Sequence, residues 1–172
     1  MPDQASTFLK GKQIMLIDFA FATSCLGAKK VETYCGTTSY MSPEIIRKEA
    51  HCPKKADVWA LGIVAFRLLT GEHPFAMKPD EPAPPQPPAE EGQEAVAEPE
   101  PDPQAEEPAP IISGTLEERI VNEDFRREKL KGFGRSLNNF MDRCLEKNPD
   151  KRSAIRDLLL DSWIKATYTS GH

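Results

Sequence analysis

From Val58 to Leu69 the chain reads VWALGIVAFRLL, with apolar residues on nearly every face of the helix such a run would form. A helix of that kind finds no place on a surface and has to be enclosed by other elements on all sides. The sequence therefore predicts a helix over about Lys54–Leu69 as the buried rod of a mainly helical fold. Gly71 is placed to end it, with Pro74 just beyond. Arg67 interrupts the run, which is far short of the roughly 20 residues that cross a bilayer, so no membrane partner is expected.

Other elements can be placed around this rod. Gln13–Phe19, QIMLIDF, reads as a strand, and Thr23–Tyr40, rich in Gly, Thr, Ser and Cys, as a long loop. Ser42-Pro43-Glu44 opens a short helix, with a hydroxyl at the cap, proline at the first position and an acid in the first turn. Leu116–Val121 is a short amphipathic piece. Leu137, Phe140, Met141, Cys144 and Leu145 form one helical stripe broken by Asn148-Pro149. Ser153 is placed to cap a last helix whose inner face would carry Leu158, Leu159 and Trp163.

One segment has a different character. Pro79–Pro110 holds eleven of the sixteen prolines and ten acidic residues without a Lys or Arg, leaving the other 140 residues at +5. Dense proline and like charge predict an extended, disordered insertion within about 77–113. Its overlapping PxxP spacings around Pro82–Pro88 would suit a polyproline-binding partner, and a solvated spacer is the plainer reading. No basic cluster is interleaved with aromatics, so no nucleic-acid partner is expected. Cys25, Cys35, Cys52 and Cys144 show no CxxC or metal-ligand spacing, and the N-terminus has no apolar signal core. A reduced, intracellular protein, most simply cytoplasmic, follows.

Four segments occur in a telling order: Ile17-Asp18-Phe19-Ala20, then Tyr34-Cys35-Gly36-Thr37-Thr38-Ser39-Tyr40-Met41-Ser42-Pro43-Glu44, then Asp57-Val58-Trp59-Ala60-Leu61-Gly62, and finally Leu145-Glu146-Lys147-Asn148-Pro149-Asp150-Lys151-Arg152. Together they resemble the C-terminal lobe of the eukaryotic-type Ser/Thr protein kinase family, from just before its Asp-Phe-Gly motif to its last helix. The Asp18–Glu44 stretch is 27 residues long, as an activation segment would be. Residues 1–172 would then be a partial kinase domain. Its fold would be one or two short N-terminal strands, a long activation loop and a helical bundle, with the insertion inside.

The resemblance implies roles. Asp18 would be the ligand of the Mg²⁺ that bridges ATP phosphates, since a hard dication takes charged oxygens. Phe19 would pack inward in the column joining the lobes, and Ala20 stands where the family has Gly. Gly36, Thr37 and Tyr40 would belong to the platform receiving the protein substrate, and Thr33 lies where many such kinases are phosphorylated. Asp57 would hold the catalytic-loop backbone or accept hydrogen bonds at its helix N-terminus. Trp59 and Gly62 would be structural, and Glu44 would pair with Arg152 in a largely buried ion pair. Asp161-Ser162-Trp163 looks like the family's His-Pro-Trp ending.

The Gly-rich loop, the ATP-positioning Lys and the catalytic-loop base have no counterpart here, so no catalytic residue is assigned. Mg²⁺ and ATP follow from the resemblance alone. Ile155-Arg156-Asp157-Leu158 imitates a catalytic loop but stands downstream of every motif it should precede, and Gly132-Phe133-Gly134 is a lone GxG. Three readings stay open: a truncated Ser/Thr kinase, a pseudokinase-type binding module, or a docking segment carried on a decayed scaffold. In each, an apolar rod lacking its upstream cover predicts a chain that is poorly folded alone or associates with another protein, for example a partner kinase lobe.

Overall fold

The computed structural model describes residues 7–10, 13–25, 30–77 and 114–169. The Pro/Glu-rich stretch Pro79–Pro110 lies outside them. The fold is mainly helical, with an antiparallel hairpin of β1 (Thr7–Lys10) and β2 (Gln13–Leu16) at its N-terminal end, in the register Thr7↔Leu16 to Lys10↔Gln13. The second strand stops at Leu16 and not at Phe19. Asp18 takes the left-handed conformation (φ 62°), which ends an extended run and which Asp tolerates better than most residues.

A 3₁₀ turn, Thr38–Tyr40, leads into α1 (Pro43–Ile46), and α2 (Pro53–Thr70) follows. Gly71, at φ 74°, ends α2 by donating its N–H to Arg67 O. After the undescribed stretch come α3 (Leu116–Asn122), a second 3₁₀ turn (Arg127–Leu130), α4 (Arg135–Cys144), α5 (Ile155–Leu158) and α6 (Ser162–Thr169). Thr115 caps α3 by accepting from Glu118 N, and the Glu118 carboxylate accepts from Gly114 N in return.

The core forms around the inner face of α2. Trp59, Ile63 and Phe66, spaced at i, i+4 and i+7, are fully buried against α4, α5 and the Thr38–Tyr40 turn. Trp59 stacks on Phe75 at 5.6 Å between ring centroids, and Phe66 meets Phe125 edge-on. Each such side chain stabilises by about 1.5–3 kcal/mol when buried. The α4 stripe from Leu137 to Leu145 is buried throughout, and Phe140 packs on Trp163 of α6.

Three expectations need correcting. The rod is not enclosed on all sides: Leu61, Val64 and Leu68 are 40%, 38% and 82% exposed, because no described element lies over that face. Leu159 is 64% exposed, since α5 ends at Leu158 and only Leu158 turns inward. Ser153 caps no helix; its hydroxyl accepts from Arg143 Nε, and Ala154 occupies the cap of α5.

Candidate functional site

The turn from Gly36 to Tyr40 is shaped by its own backbone. Gly36 sits at φ 110°, a conformation that strains any residue with a Cβ. Thr37 O then accepts from Tyr40 N, and Thr38 O from Met41 N, which closes the 3₁₀ turn. Thr37 is exposed and its hydroxyl caps nothing. Thr33 is exposed two residues beyond Val31, whose backbone exchanges both hydrogen bonds with His51 at 2.8 Å.

Two side chains from the α2 end of the molecule tie this turn down. Arg67 Nη1 donates to the Tyr40 hydroxyl at 2.6 Å, and its guanidinium lies 5.6 Å from the Tyr40 ring centre. His73 Nε2 donates to Ser39 O at 2.7 Å, while its Nδ1 accepts from Phe75 N–H at 3.2 Å. These two bonds fix the neutral tautomer, and burial pushes the imidazole below its ordinary value. Neither tether was read from the sequence. Arg67 showed itself only as a charge inside an apolar run, and contacts across 27 and 34 positions leave no local signal.

Below the turn, Glu44 and Arg152 form a bidentate pair, with Arg152 Nη1 and Nη2 donating at 2.6 and 2.9 Å. Arg152 also donates to Glu146 O, Lys55 O and Lys147 O and lies 5.1 Å from the Trp59 ring centre. Every direction of the guanidinium fork is thereby used. Burial alone would raise the Glu44 carboxyl; the Arg152 hydrogen bonds and charge outweigh it and hold the group below the usual carboxylate range. Gly62 stands where α2 crosses α4, and a Cβ there would come within 2.7 Å of Cys144 Cβ. The indole N–H of Trp59 has no hydrogen-bond partner among the described residues.

Other predicted site residues are not brought to this cluster. Asp18 is exposed, and its carboxylate accepts from Ala20 N at 3.3 Å in a local turn. The left-handed residue is Asp18, so Ala20 carries none of the strain expected of a Gly position. Phe19 is 68% exposed and does not pack inward, because no described element covers the turn after β2. Asp57 cannot cap α2, which begins four residues earlier at Pro53 with no acid in its first turn. It is partly exposed, yet desolvation beside the helix body raises its carboxyl above the ordinary value.

Residues 6–164 match the protein kinase domain, and the chain belongs to that family. Ribosomal protein S6 kinase alpha-4 of Mus musculus is 46% identical over 67 residues, which is 38% of this chain and 9% of that protein. Developmentally-regulated protein kinase 1 of Dictyostelium discoideum is 43% identical over 63 residues, 37% of this chain and 9% of the relative. Serine/threonine-protein kinase ATG1a of Arabidopsis thaliana is 47% identical over 58 residues, 34% and 9%. The matched stretches thus span less than a tenth of these curated relatives, all named as protein kinases and the last as a Ser/Thr kinase. The family generally uses Mg²⁺ and ATP. Asp18 offers one carboxylate, and no group of three acids, His or Cys able to hold a metal exists among the described residues. Mg²⁺ on a nucleotide takes one or two protein carboxylates and fills its other positions from phosphates and water, and Asp18 would be one such carboxylate. No helix among the described residues is long and apolar enough to cross a membrane.

Proposed function

We propose that residues 1–172 are a partial Ser/Thr protein kinase domain that supplies the substrate platform and carries out no phosphoryl transfer as this chain. The supporting observation is the contrast between two parts of the molecule. The Gly36–Glu44 segment is tied at Ser39, Tyr40 and Glu44 by three residues from distant elements. Asp18, by contrast, stands exposed in a local turn. A platform of this kind can hold an extended peptide; transfer needs in addition a base and groups that position the phosphates. Thr33, next to the Val31–His51 bridge, is the proposed phosphorylation point, and 77–113 the insertion carried by the domain.

The test uses the full chain with Mg-ATP and Ser/Thr peptides, reading phosphate transfer and the melting temperature. No transfer and no Mg-ATP-dependent shift are expected. Turnover that disappears with Asp18→Asn would refute the reading.

A second reading, a binding or regulatory module without catalysis, draws on the uncovered face of α2. Asp57, Leu61, Val64 and Leu68 lie along it at i, i+4, i+7 and i+11, an apolar stripe with a carboxylate at one end. A protein partner such as a further kinase lobe would cover it. Sedimentation of the chain with a kinase fragment ending before the Asp-Phe motif separates the two. Association that restores transfer supports the platform reading, and association without transfer supports the module.

A further inference from the structure

A cavity of about 620 Å³ opens between the turn joining α1 to α2 and the turn Lys147–Asp150. Its walls carry Lys30, Arg47, Lys55 and Lys147 against the carboxylates of Glu49 and Asp150. The remaining carboxylate on the wall, Glu44, is already matched by Arg152. A surplus of two positive charges therefore faces the space.

The four cations differ in what holds them. Lys55 Nζ donates to Arg152 O, and Lys147 Nζ donates to Ile120 O while lying 4.9 Å from the Phe75 ring centre. These two are engaged and contribute mainly field. Arg47 is partly buried and its guanidinium makes no hydrogen bond or ion pair among the described residues, and the same holds for the ammonium of exposed Lys30. A guanidinium on a cavity wall with its fork unused is free to complete its hydrogen bonds on an anion. Burial pushes the Lys147 ammonium down to about 8, with Asp124 acting against this and Arg47 adding to it. The start of α2 adds to the same field. Its 18 residues have no acid in the first turn and Cys52 gives no capping bond, so its positive end is not offset there.

We infer that this cavity binds a phosphate group, free or carried on a serine or threonine side chain, with the Arg47 guanidinium as its principal donor. A dianion matches the surplus charge, and its tetrahedral oxygens match a guanidinium fork. The volume leaves room for the residue bearing the phosphate. This site is separate from the Gly36–Tyr40 platform and stands whether or not that platform receives a substrate.

Cys52 lines the cavity and reports on it. The full chain is alkylated with iodoacetamide in inorganic phosphate or in chloride of equal ionic strength, and each cysteine is followed by mass spectrometry. An anion in the cavity blocks access to Cys52 and disfavours its thiolate, so phosphate slows Cys52 and leaves Cys25 and Cys35 unchanged. In Arg47→Gln the half-protecting concentration rises about tenfold, the worth of one lost charge-assisted bond. O-phosphoserine compared with serine separates the two sources. Protection by both phosphates supports a carried group, and protection by inorganic phosphate alone supports the free ion. Equal Cys52 rates in phosphate and chloride overturn the inference. So does protection that Arg47→Gln leaves intact, which marks an adventitious ion only. Buried Cys144 reacting as fast as Cys25 also overturns it, because the cavity is then not formed.

Discussion

Glu44 and Arg152 stand 108 positions apart in the chain and meet through two parallel hydrogen bonds, with neither side chain more than 1% exposed. The pair joins the end of the platform segment to the turn before α5, and the arginine fastens the start of α2 through Lys55 O. Removing either partner leaves a buried charge unmatched. Glu44→Gln and Arg152→Met are each expected to lose about 3–5 kcal/mol of stability. The double variant Glu44→Met with Arg152→Met should lose clearly less than the two together. Urea unfolding followed by fluorescence of Trp59 and Trp163 measures all three. Because the folded Glu44 value lies below the ordinary 4.5, the pair's contribution is complete above that pH. It fades as pH falls through the lower folded value, and Arg152→Met should remove that acid dependence.

Gly62 sets how closely α2 and α4 approach. An alanine methyl would lie 2.7 Å from Cys144 Cβ and 2.8 Å from Leu145 Cδ2. Alanine gains about 1 kcal/mol over glycine in helix propensity, whereas overpacking costs about 1–3 kcal/mol. The neighbours are the root of one side chain and the branch of another, both on a buried face, so the clash outweighs the propensity gain. Gly62→Ala is therefore expected to lower the urea midpoint. A raised midpoint would mean that the two helices do not pack this closely.

The sequence made legible those features that are local or carried by a motif. The α4 stripe, the α2 helix and the Glu44–Arg152 pair all belong to that group, the first two through periodicity and the third through the ordered family motifs. The failures share a different cause. Phe19, Leu61, Val64 and Leu68 were expected inside because apolar residues seek cover, but cover is a property of what else is present, and nothing described lies over them. Arg67 and His73 were invisible as tethers because a hydrogen bond to Tyr40 or Ser39 depends on how the loop folds back. Asp18 in the left-handed conformation shortened β2, a choice that backbone sterics leave open to Asp and that strand propensity does not encode.

The exposed stripe on α2 gives a sharp contrast with the face opposite. Leu68 is 82% exposed and Ile63 is fully buried, five positions along the same helix. Leu61→Lys combined with Leu68→Lys should leave the unfolding midpoint of the chain unchanged and reduce self-association in sedimentation velocity, since contiguous apolar surface drives association. Ile63→Ala should instead lose about 2–5 kcal/mol. Loss of folding in the surface variant would show that a partner element covers this face in solution.

His73 couples pH to the platform. In the neutral ring Nδ1 accepts from Phe75 N–H, and protonation of that nitrogen destroys the acceptor while leaving the donor to Ser39 in place. The ring is inside the loop that stacks Phe75 on Trp59, so the lost bond is felt next to the core. Burial is the main reason that the folded value lies below the ordinary 6.5, the Ser39 carbonyl opposes it, and the nearby Arg67 charge works with it. A depressed histidine binds fewer protons folded than unfolded, so its contribution is complete above pH 6.5 and declines as pH falls towards the lower folded value. Hydrogen exchange at residues 37–41 and 73–76, corrected for the intrinsic effect of pH on exchange, should therefore speed up between pH 7.5 and pH 5.5. In His73→Ala the exchange should be fast at both values, because the tether to Ser39 and the acceptor for Phe75 are both gone. If the wild-type segment exchanges equally at the two values, His73 is not the group that holds it. Slow exchange in His73→Ala at pH 7.5 would place the restraint elsewhere, on Arg67 and Tyr40 alone.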